Sequence, residues 1–172
     1  EDIKTYRPKS RSFSRGQVFL RDYSFEECRL VVKEVIDELC LEMAEKGLAA
    51  KSISVLVEYS KETEMKGASG TVSLTSASHR YRTILPGVLR LYDRIVRKDK
   101  PIRKLTLSCH DVVREAYEQL ELFSDPAEAE RDRKLQKTVI EIKKRYGRNA
   151  IVRGMDLQEA GTATQRNRQI GG

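Results

Sequence analysis

Period-two alternation in four segments and helical periodicity in two others constrain the fold of this 172-residue chain most strongly. The clearest helix signal is the pair Ser24 and Glu27, which have the spacing of a capping box. Apolar side chains recur after this cap at helical intervals as far as Met43, and Gly47 is a suitable stop signal. We therefore predict a first helix that begins after Ser24 and ends before Gly47.

The other periodic segments add a second helix and four strands. The second helix is predicted over about residues 82–97, with Pro86 in an early turn. The first strand is expected to be bulged or bent near Gly16. The predicted strands are residues 9–20, 51–59, 70–76 and 101–109.

The resulting order, βαββαβ, predicts an α+β fold. Because each helix has one apolar face, both helices should cover the same side of a four-stranded, mainly antiparallel sheet. The result is a two-layer sandwich whose other sheet face is open to solvent.

The C-terminal part of the sequence has a different character. Asp125 and Pro126 form a helix start, and the predicted helix has a narrow apolar stripe of Leu135, Val139, Ile142 and Tyr146. Beyond Gly147 the chain has few apolar residues, which predicts loop or disorder. We divide the chain into an upstream linker (1–8), the sandwich domain (9–111), a second linker (112–125), a helix (126–146) and a flexible tail (147–172).

The charge balance favours an acidic partner. The formal net charge is +7 and the isoelectric point is about 9.4, which is typical of nucleic-acid binders but also occurs in ordinary soluble basic proteins. Cys28, Cys40 and Cys109 form no CxxC pair, and the sequence has neither a signal peptide nor an apolar run of transmembrane length. We expect a cytoplasmic, monomeric protein that does not enter membranes.

The sequence shows no catalytic constellation. His79 and His110 are far apart, and neither has a cysteine or acidic partner at the spacing of a metal site. We interpret both as surface or strand-end histidines, and we expect no metal or cofactor in this chain.

The outward strand positions are mostly small hydroxyl residues, which suits a phosphate backbone, although such residues are also tolerated on any solvated face. RNA-binding RRM domains share the βαββαβ order, but they stack bases on aromatic side chains that these positions lack. Five arginines near strand ends, Arg11, Arg15, Arg80, Arg82 and Arg103, would add charge. The predicted outward residues are Ser52, Ser54, Thr71, Ser73, Thr75, Lys104, Thr106 and Ser108.

Three segments together resemble a known family. "YRPKSRSFSRGQVFLRDYS" and "VLRLYDRIVRKDKPIRKLTLSCHDV" resemble the first strand and the second helix with the last strand of the little finger domain of Y-family translesion DNA polymerases. The closing "GRNAIVRGMDL" and "ATQRNRQIGG" resemble the tail of the branch related to SOS-mutagenesis catalytic subunits of Gram-positive bacteria.

This resemblance implies that the open sheet face grips template-primer duplex DNA. It also implies that the Mg²⁺-binding carboxylates belong to an upstream palm domain, so that this chain alone has no polymerase activity. Relatives carry arginine on the third strand where this chain has Leu74 and Thr75, which suggests a softer grip. The implied DNA-binding residues are Lys9, Ser10, Ser12, Ser14, Arg15, Ser73, Thr75, Arg103, Lys104, Thr106 and Ser108.

The segment "QLELF" is the last feature, and it places apolar side chains in a connecting stretch. It resembles the pentapeptide by which such polymerases bind the bacterial sliding clamp. Leu122 and Phe123 would enter an apolar pocket, Gln119 would hydrogen-bond at its edge and Leu120 would pack beside it. The alternative is that these residues pack back on the domain. For the whole chain, the alternatives are a protein-interaction module and an RNA binder of the same fold.

Overall fold

The computed structural model of the protein describes residues 11–114 and 125–169. The sheet has the strand order β1-β4-β2-β3, and every neighbouring pair is antiparallel. The predicted α+β sandwich is therefore confirmed. Its elements are β1 (Arg11–Tyr23), α1 (Phe25–Glu45), β2 (Leu48–Tyr59), β3 (Ala68–Ser78), α2 (Tyr81–Ile95), β4 (Ile102–Arg114), α3 (Pro126–Tyr146) and α4 (Ala163–Arg166).

Helix α1 begins and ends where the sequence predicted. The Glu27 amide donates to Ser24 Oγ at 3.3 Å, and the Ser24 amide donates to the Glu27 carboxylate at 2.8 Å. A hydrogen bond from Arg21 to Glu27, together with those from Ser24, lowers the pKa of Glu27 to about 2. At the other end Gly47 has a φ of 61°, a left-handed conformation that glycine adopts without strain.

The core lies between the sheet and the helices α1 and α2. Alternate residues of β2 and β4 are fully buried there, among them Ile53, Val55, Leu105 and Leu107. Tyr92 of α2 is also fully buried, and its hydroxyl donates to the Phe25 carbonyl at 2.9 Å. Because α1 and α2 pack on the same side of the sheet, no element of the described part of the chain covers its other side.

The predicted irregularity near Gly16 was wrong. Gly16 pairs in regular register with Thr106. The register breaks instead at two other places: β1 has three more residues than β4 between the pairs Val18–Lys104 and Tyr23–Ile102, and β4 has one more residue than β1 between the pairs Phe13–Cys109 and Arg11–Val112. Asp111, in this extra stretch, has a φ of 50°, so the strain of a bulge falls on an aspartate rather than on the glycine.

Helix α2 begins one residue before the predicted start at about residue 82. The helix begins at Tyr81, so Pro86 lies in its second turn, beyond the first-turn position that suits proline. The chain turns into the helix through the Arg80 amide, which donates to Ser78 Oγ at 3.1 Å. Ile84, which lies within the predicted helix, is fully buried in the core.

Helix α3 has the bounds that the sequence predicted, but its apolar stripe is only half covered. Val139 and Ile142 are half-buried, whereas Leu135 and Tyr146 are 64% and 67% exposed. Ion pairs hold the helix against the start of α2: Arg80 reaches Asp132 at 3.1 Å, and Arg82 reaches Glu128.

The segment after Gly147 is mostly loop, as predicted, with short helical turns at Gly154–Leu157 and Ala163–Arg166, but it is packed against the domain as far as residue 169. It packs on the outer side of α1, where the Glu34 carboxylate is only 1% exposed. The Thr162 amide and hydroxyl donate to Glu34 at 2.9 and 3.0 Å, and Arg166 lies 3.5 Å from Glu34 and 2.6 Å from Glu38. The backbone at Gly161 lies very close to the Glu34 side chain, since a Cβ added to Gly161 would be 2.9 Å from Glu34 Oε1.

Two further ion pairs connect the C-terminal region to α1. Arg153 lies 2.7 Å from Asp37 and stacks 4.4 Å above the centre of the Tyr81 ring. Lys144 of α3 lies 2.9 Å from Glu45. Acidic residues along one side of α1 therefore bind cationic side chains of the C-terminal region. Because this contact is made by polar groups, it leaves no apolar periodicity by which it could be predicted from the sequence.

No helix within the ranges 11–114 and 125–169 is both long and apolar enough to cross a bilayer.

We expect Arg166→Gln to release the tail from α1, because it leaves the buried Glu34 carboxylate without its cation. Urea unfolding at pH 7 should show a loss of about 3 kcal/mol, the usual cost of breaking a buried pair. Arg168→Gln, which changes an exposed arginine of the same segment, is the matched control and should leave the free energy of unfolding unchanged.

The pH dependence provides a second readout. Burial raises the pKa of Glu34 above its ordinary value of 4.5, so the folded state holds this proton more tightly than the unfolded state. The contribution of Glu34 to stability is therefore largest below pH 4.5 and declines as the pH rises through the raised pKa. Arg166→Gln should steepen this decline, and equal stability of both proteins from pH 4 to pH 8 would contradict the assigned contact.

Candidate nucleic-acid interface

The sheet face turned away from α1 and α2, here called the open face, carries hydroxyl side chains from all four strands. Residues directly opposite each other in antiparallel strands project to the same side, so the register defines rows across the sheet. The central row crosses β1, β4, β2 and β3 in turn as Ser14, Ser108, Ser54 and Thr71. The row on one side of it contains His110, Ser52 and Ser73. The row on the other side contains Gly16, Thr106, Leu56 and Ser69.

Hydrogen bonds between these side chains hold the central row in place. Ser14 Oγ and Ser108 Oγ are 2.6 Å apart, and Ser54 Oγ lies 2.8 Å from His110 Nε2. A hydroxyl has one donor and two acceptor positions, so each bond leaves capacity for a further partner. The row therefore offers polar groups at strand spacing, about 4.8 Å apart, which can bond to phosphate oxygens without reading base sequence.

Two of the expected cations stand near one end of this face, and both are paired with carboxylates. Lys104 Nζ lies 2.7 Å from Glu58 Oε1, and Arg103 Nη1 lies 3.1 Å from Asp22 Oδ1. The sequence placed Glu58 on the outward side of β2, but its pairing with Lys104 was not anticipated. The positive charge expected at these positions is therefore locally neutralised.

Arg15 does not share the open face, which corrects its assignment as a DNA-binding residue. It lies between the outward residues Ser14 and Gly16, so its side chain points to the helix side and reaches Glu42 of α1 at 2.8 Å. Burial alone would raise the pKa of Glu42, but Lys46 and Arg15 hold it below its ordinary value. Arg15 thus joins the sheet to α1.

Arg80 and Arg82 are likewise engaged elsewhere, because both form the ion pairs that dock α3. The residues that the structure does place on the open face are Ser12, Ser14, Ser52, Ser54, Thr71, Ser73, Thr75, Lys104, Thr106 and Ser108. Six predicted site residues lie outside the described residues: Lys9, Ser10, Gln119, Leu120, Leu122 and Phe123.

The open face also has apolar members that the list of predicted outward residues did not include. Val18, which pairs with Lys104, is 60% exposed, and Leu56 on β2 is 39% exposed. Leu20, two residues after Val18, is 86% exposed. The signal was present in the sequence, because the alternation that places Ser12 and Ser14 outward continues to Val18 and Leu20.

No residue arrangement in the described part of the chain indicates catalysis. Within those residues, no group of three or more histidines, cysteines and acidic residues is placed to hold a metal ion. All three cysteines are buried, and burial raises the pKa of Cys28 and of Cys109 to about 12, so neither is a ready nucleophile.

Comparison with known proteins adds the following. Residues 10–122 match the impB/mucB/samB family C-terminal domain. The chain is 28% identical over 162 residues to a protein named as UV-damage repair protein UvrX of Bacillus subtilis, and 27% identical over 164 residues to DNA polymerase IV 2 of the same organism. These matches cover 94% of this chain but only 38% and 39% of the relatives, so the chain spans about two-fifths of their length.

Among solved structures, the chain is similar to the one described as a complex of the beta-clamp processivity factor and the little finger domain of PolIV. The TM-score is 0.47 at 13% identity, and the match covers 66% of this chain and 100% of that one. A post-insertion binary complex of Dbh DNA polymerase gives a TM-score of 0.44 at 12% identity, covering 60% of this chain and 29% of that one. Since the family model covers well over half of the sequence, the chain belongs to the impB/mucB/samB family and contains its C-terminal domain.

Proposed function

We propose that this chain is the little finger region of a translesion DNA polymerase, which grips template-primer duplex during damage bypass and docks on the sliding clamp. Membership of the family supports this proposal, as do relatives named for UV-damage repair and for DNA polymerase IV. The parent would carry out Mg²⁺-dependent nucleotidyl transfer with a palm domain outside this chain. This region would contribute as a monomer, without a metal of its own.

The open face is the observation that carries the DNA-binding proposal. No element in the ranges 11–114 and 125–169 covers it, it runs across all four strands, and its central row consists of hydroxyl groups held by hydrogen bonds. Such a surface can bond to phosphate oxygens along a duplex but has no means of recognising particular bases. Ser54 and Ser108 occupy the middle of the two central strands, where base-stacking aromatics would be required for an RRM-like RNA binder.

We expect the chain to bind primer-template duplex with weak sequence preference and clear salt dependence, measured by fluorescence anisotropy. Ser54→Ala combined with Ser108→Ala should weaken binding about 30-fold, since each change removes a hydroxyl worth about 1 kcal/mol. This double variant keeps the net charge, so its effect cannot come from long-range electrostatics.

Arg15→Gln is the control for the assignment of the face. It removes a positive charge on the helix side of β1 and should change duplex affinity by less than about twofold. Binding that ignores salt, or that falls for Arg15→Gln but not for the double serine variant, would count against the open face. Stronger binding of single-stranded RNA in direct competition would support the RNA-binding alternative instead.

The clamp-docking part of the proposal depends on the sequence of residues 119–123. The clamp motif would lie between the end of β4 at Arg114 and the start of α3 at Pro126, where the connecting segment follows the last strand directly. A pair of large apolar anchors in a preformed pocket is the kind of contact in which few residues supply most of the affinity.

We expect Leu122→Ala combined with Phe123→Ala to weaken binding to the host's sliding clamp by about 30-fold or more, because hot-spot anchors contribute at least about 2 kcal/mol. Surface plasmon resonance on immobilised clamp measures this loss. Leu135→Ala is the matched control, since Leu135 is 64% exposed on α3 and its truncation should leave clamp affinity unchanged. An unaltered dissociation constant for the double variant would refute the motif assignment.

A further inference from the structure

Lys104 lies near one end of the open face, on the central strand β4, but its charge is directed to a neighbouring strand. The register places it between Val18 of β1 and Glu58 of β2. Its ammonium group lies 2.7 Å from the Glu58 carboxylate, and Thr106 and Ser108 follow it on the same side of β4. Lys104 therefore lies next to the rows of hydroxyl groups, and it forms an ion pair with Glu58.

A carboxylate and a phosphate compete for the same ammonium group. Both are oxygen anions that bind lysine through charge-assisted hydrogen bonds, so a phosphate on the open face must displace Glu58 to gain full contact with Lys104. Displacement is feasible because the side chains of Lys104 and Glu58 are 39% and 47% exposed, and exposed pairs are held weakly.

A second pair repeats this arrangement at the next residue of β4. Arg103 lies 3.1 Å from Asp22, and these two side chains are also 45% and 38% exposed. Arg103 and Lys104, which are consecutive on β4, are thus both paired with carboxylates from the neighbouring strands β1 and β2.

We propose that Glu58 is an intramolecular competitor for DNA phosphate that weakens the grip of the open face. The inference rests on the proposed DNA-binding function and adds a residue that limits the affinity. In the free protein Glu58 neutralises Lys104. On the duplex a phosphate oxygen must displace the carboxylate to reach the ammonium group, and the cost of that exchange leaves this contact mostly unmade and keeps binding weak and reversible, which suits a surface that must move along DNA.

The test compares the 172-residue chain with its Glu58→Gln variant in anisotropy titrations of primer-template duplex over about 50–200 mM salt. Freeing Lys104 should add about one phosphate contact, so the slope of log K against log salt should become steeper by roughly 0.9 and affinity near 0.1 M salt should rise about fivefold. Glu141→Gln, which removes an exposed acid on α3, is the matched charge control and should change the slope by much less.

Lys104→Gln completes a double-mutant cycle. In that background Glu58→Gln has no cation to release, so its effect should disappear. A gain that persists without Lys104, or no gain in either slope or affinity, would overturn the competitor role.

Should the Glu58→Gln protein fail to fold by circular dichroism, Asp22→Asn applies the same test to Arg103. If the unaltered chain binds no duplex, the proposed function fails together with the inference. If it binds but Glu58→Gln gives no gain, the inference alone fails.

Discussion

The two-sided burial of helix α1 is the constraint on which the rest of the structure depends. Its inner side packs on the sheet through Val31, Val35 and Leu39, all at most 1% exposed. Its outer side receives the C-terminal segment through the buried Glu34. Because α1 and α2 cover one side of the sheet and the later segments cover α1, no described element remains to cover the other side, and the open face is left available.

The placement of charge changes how such a face would hold DNA. The net charge of +7 suggests a cationic surface, yet Lys104 and Arg103 are paired with carboxylates, and Arg15 lies on the other side. The central row is instead neutral and hydroxyl-rich. A grip built from neutral donors, with cations that must first leave a carboxylate, would bind any sequence and release it easily, which agrees with the proposed function.

The local signals in the sequence were sufficient for most of the fold. The Ser24 capping box and the Gly47 stop predicted α1, and alternation identified the four strands, because these features depend on residues near each other in the chain. The same alternation determines the side on which Arg15 lies, since both its neighbours point outward, so that error was avoidable. The bulge at Asp111 was not predictable in this way, because it arises from the register between β4 and β1.

Local sequence patterns could not predict two features: the packing of residues 147–169 on α1, and the pairing of Lys104 and Arg103 with carboxylates. Glu34 and Thr162 are 128 residues apart, and their contact replaces apolar periodicity with a buried polar network. Lys104 and Glu58 are 46 residues apart, and only the strand register brings them together. The net charge of a sequence depends only on how many charged residues it has. The electrostatic potential of a surface also depends on which of those residues form ion pairs.

The most direct test of this account is a map of amide chemical-shift changes when primer-template duplex is added to isotope-labelled protein. The largest changes are expected along the central row, at Ser14, Ser108, Ser54 and Thr71, and at the neighbouring Thr106, with little change along α1. Changes concentrated on α2 or α3, with the central row unaffected, would contradict the assignment of the open face as the DNA-binding surface.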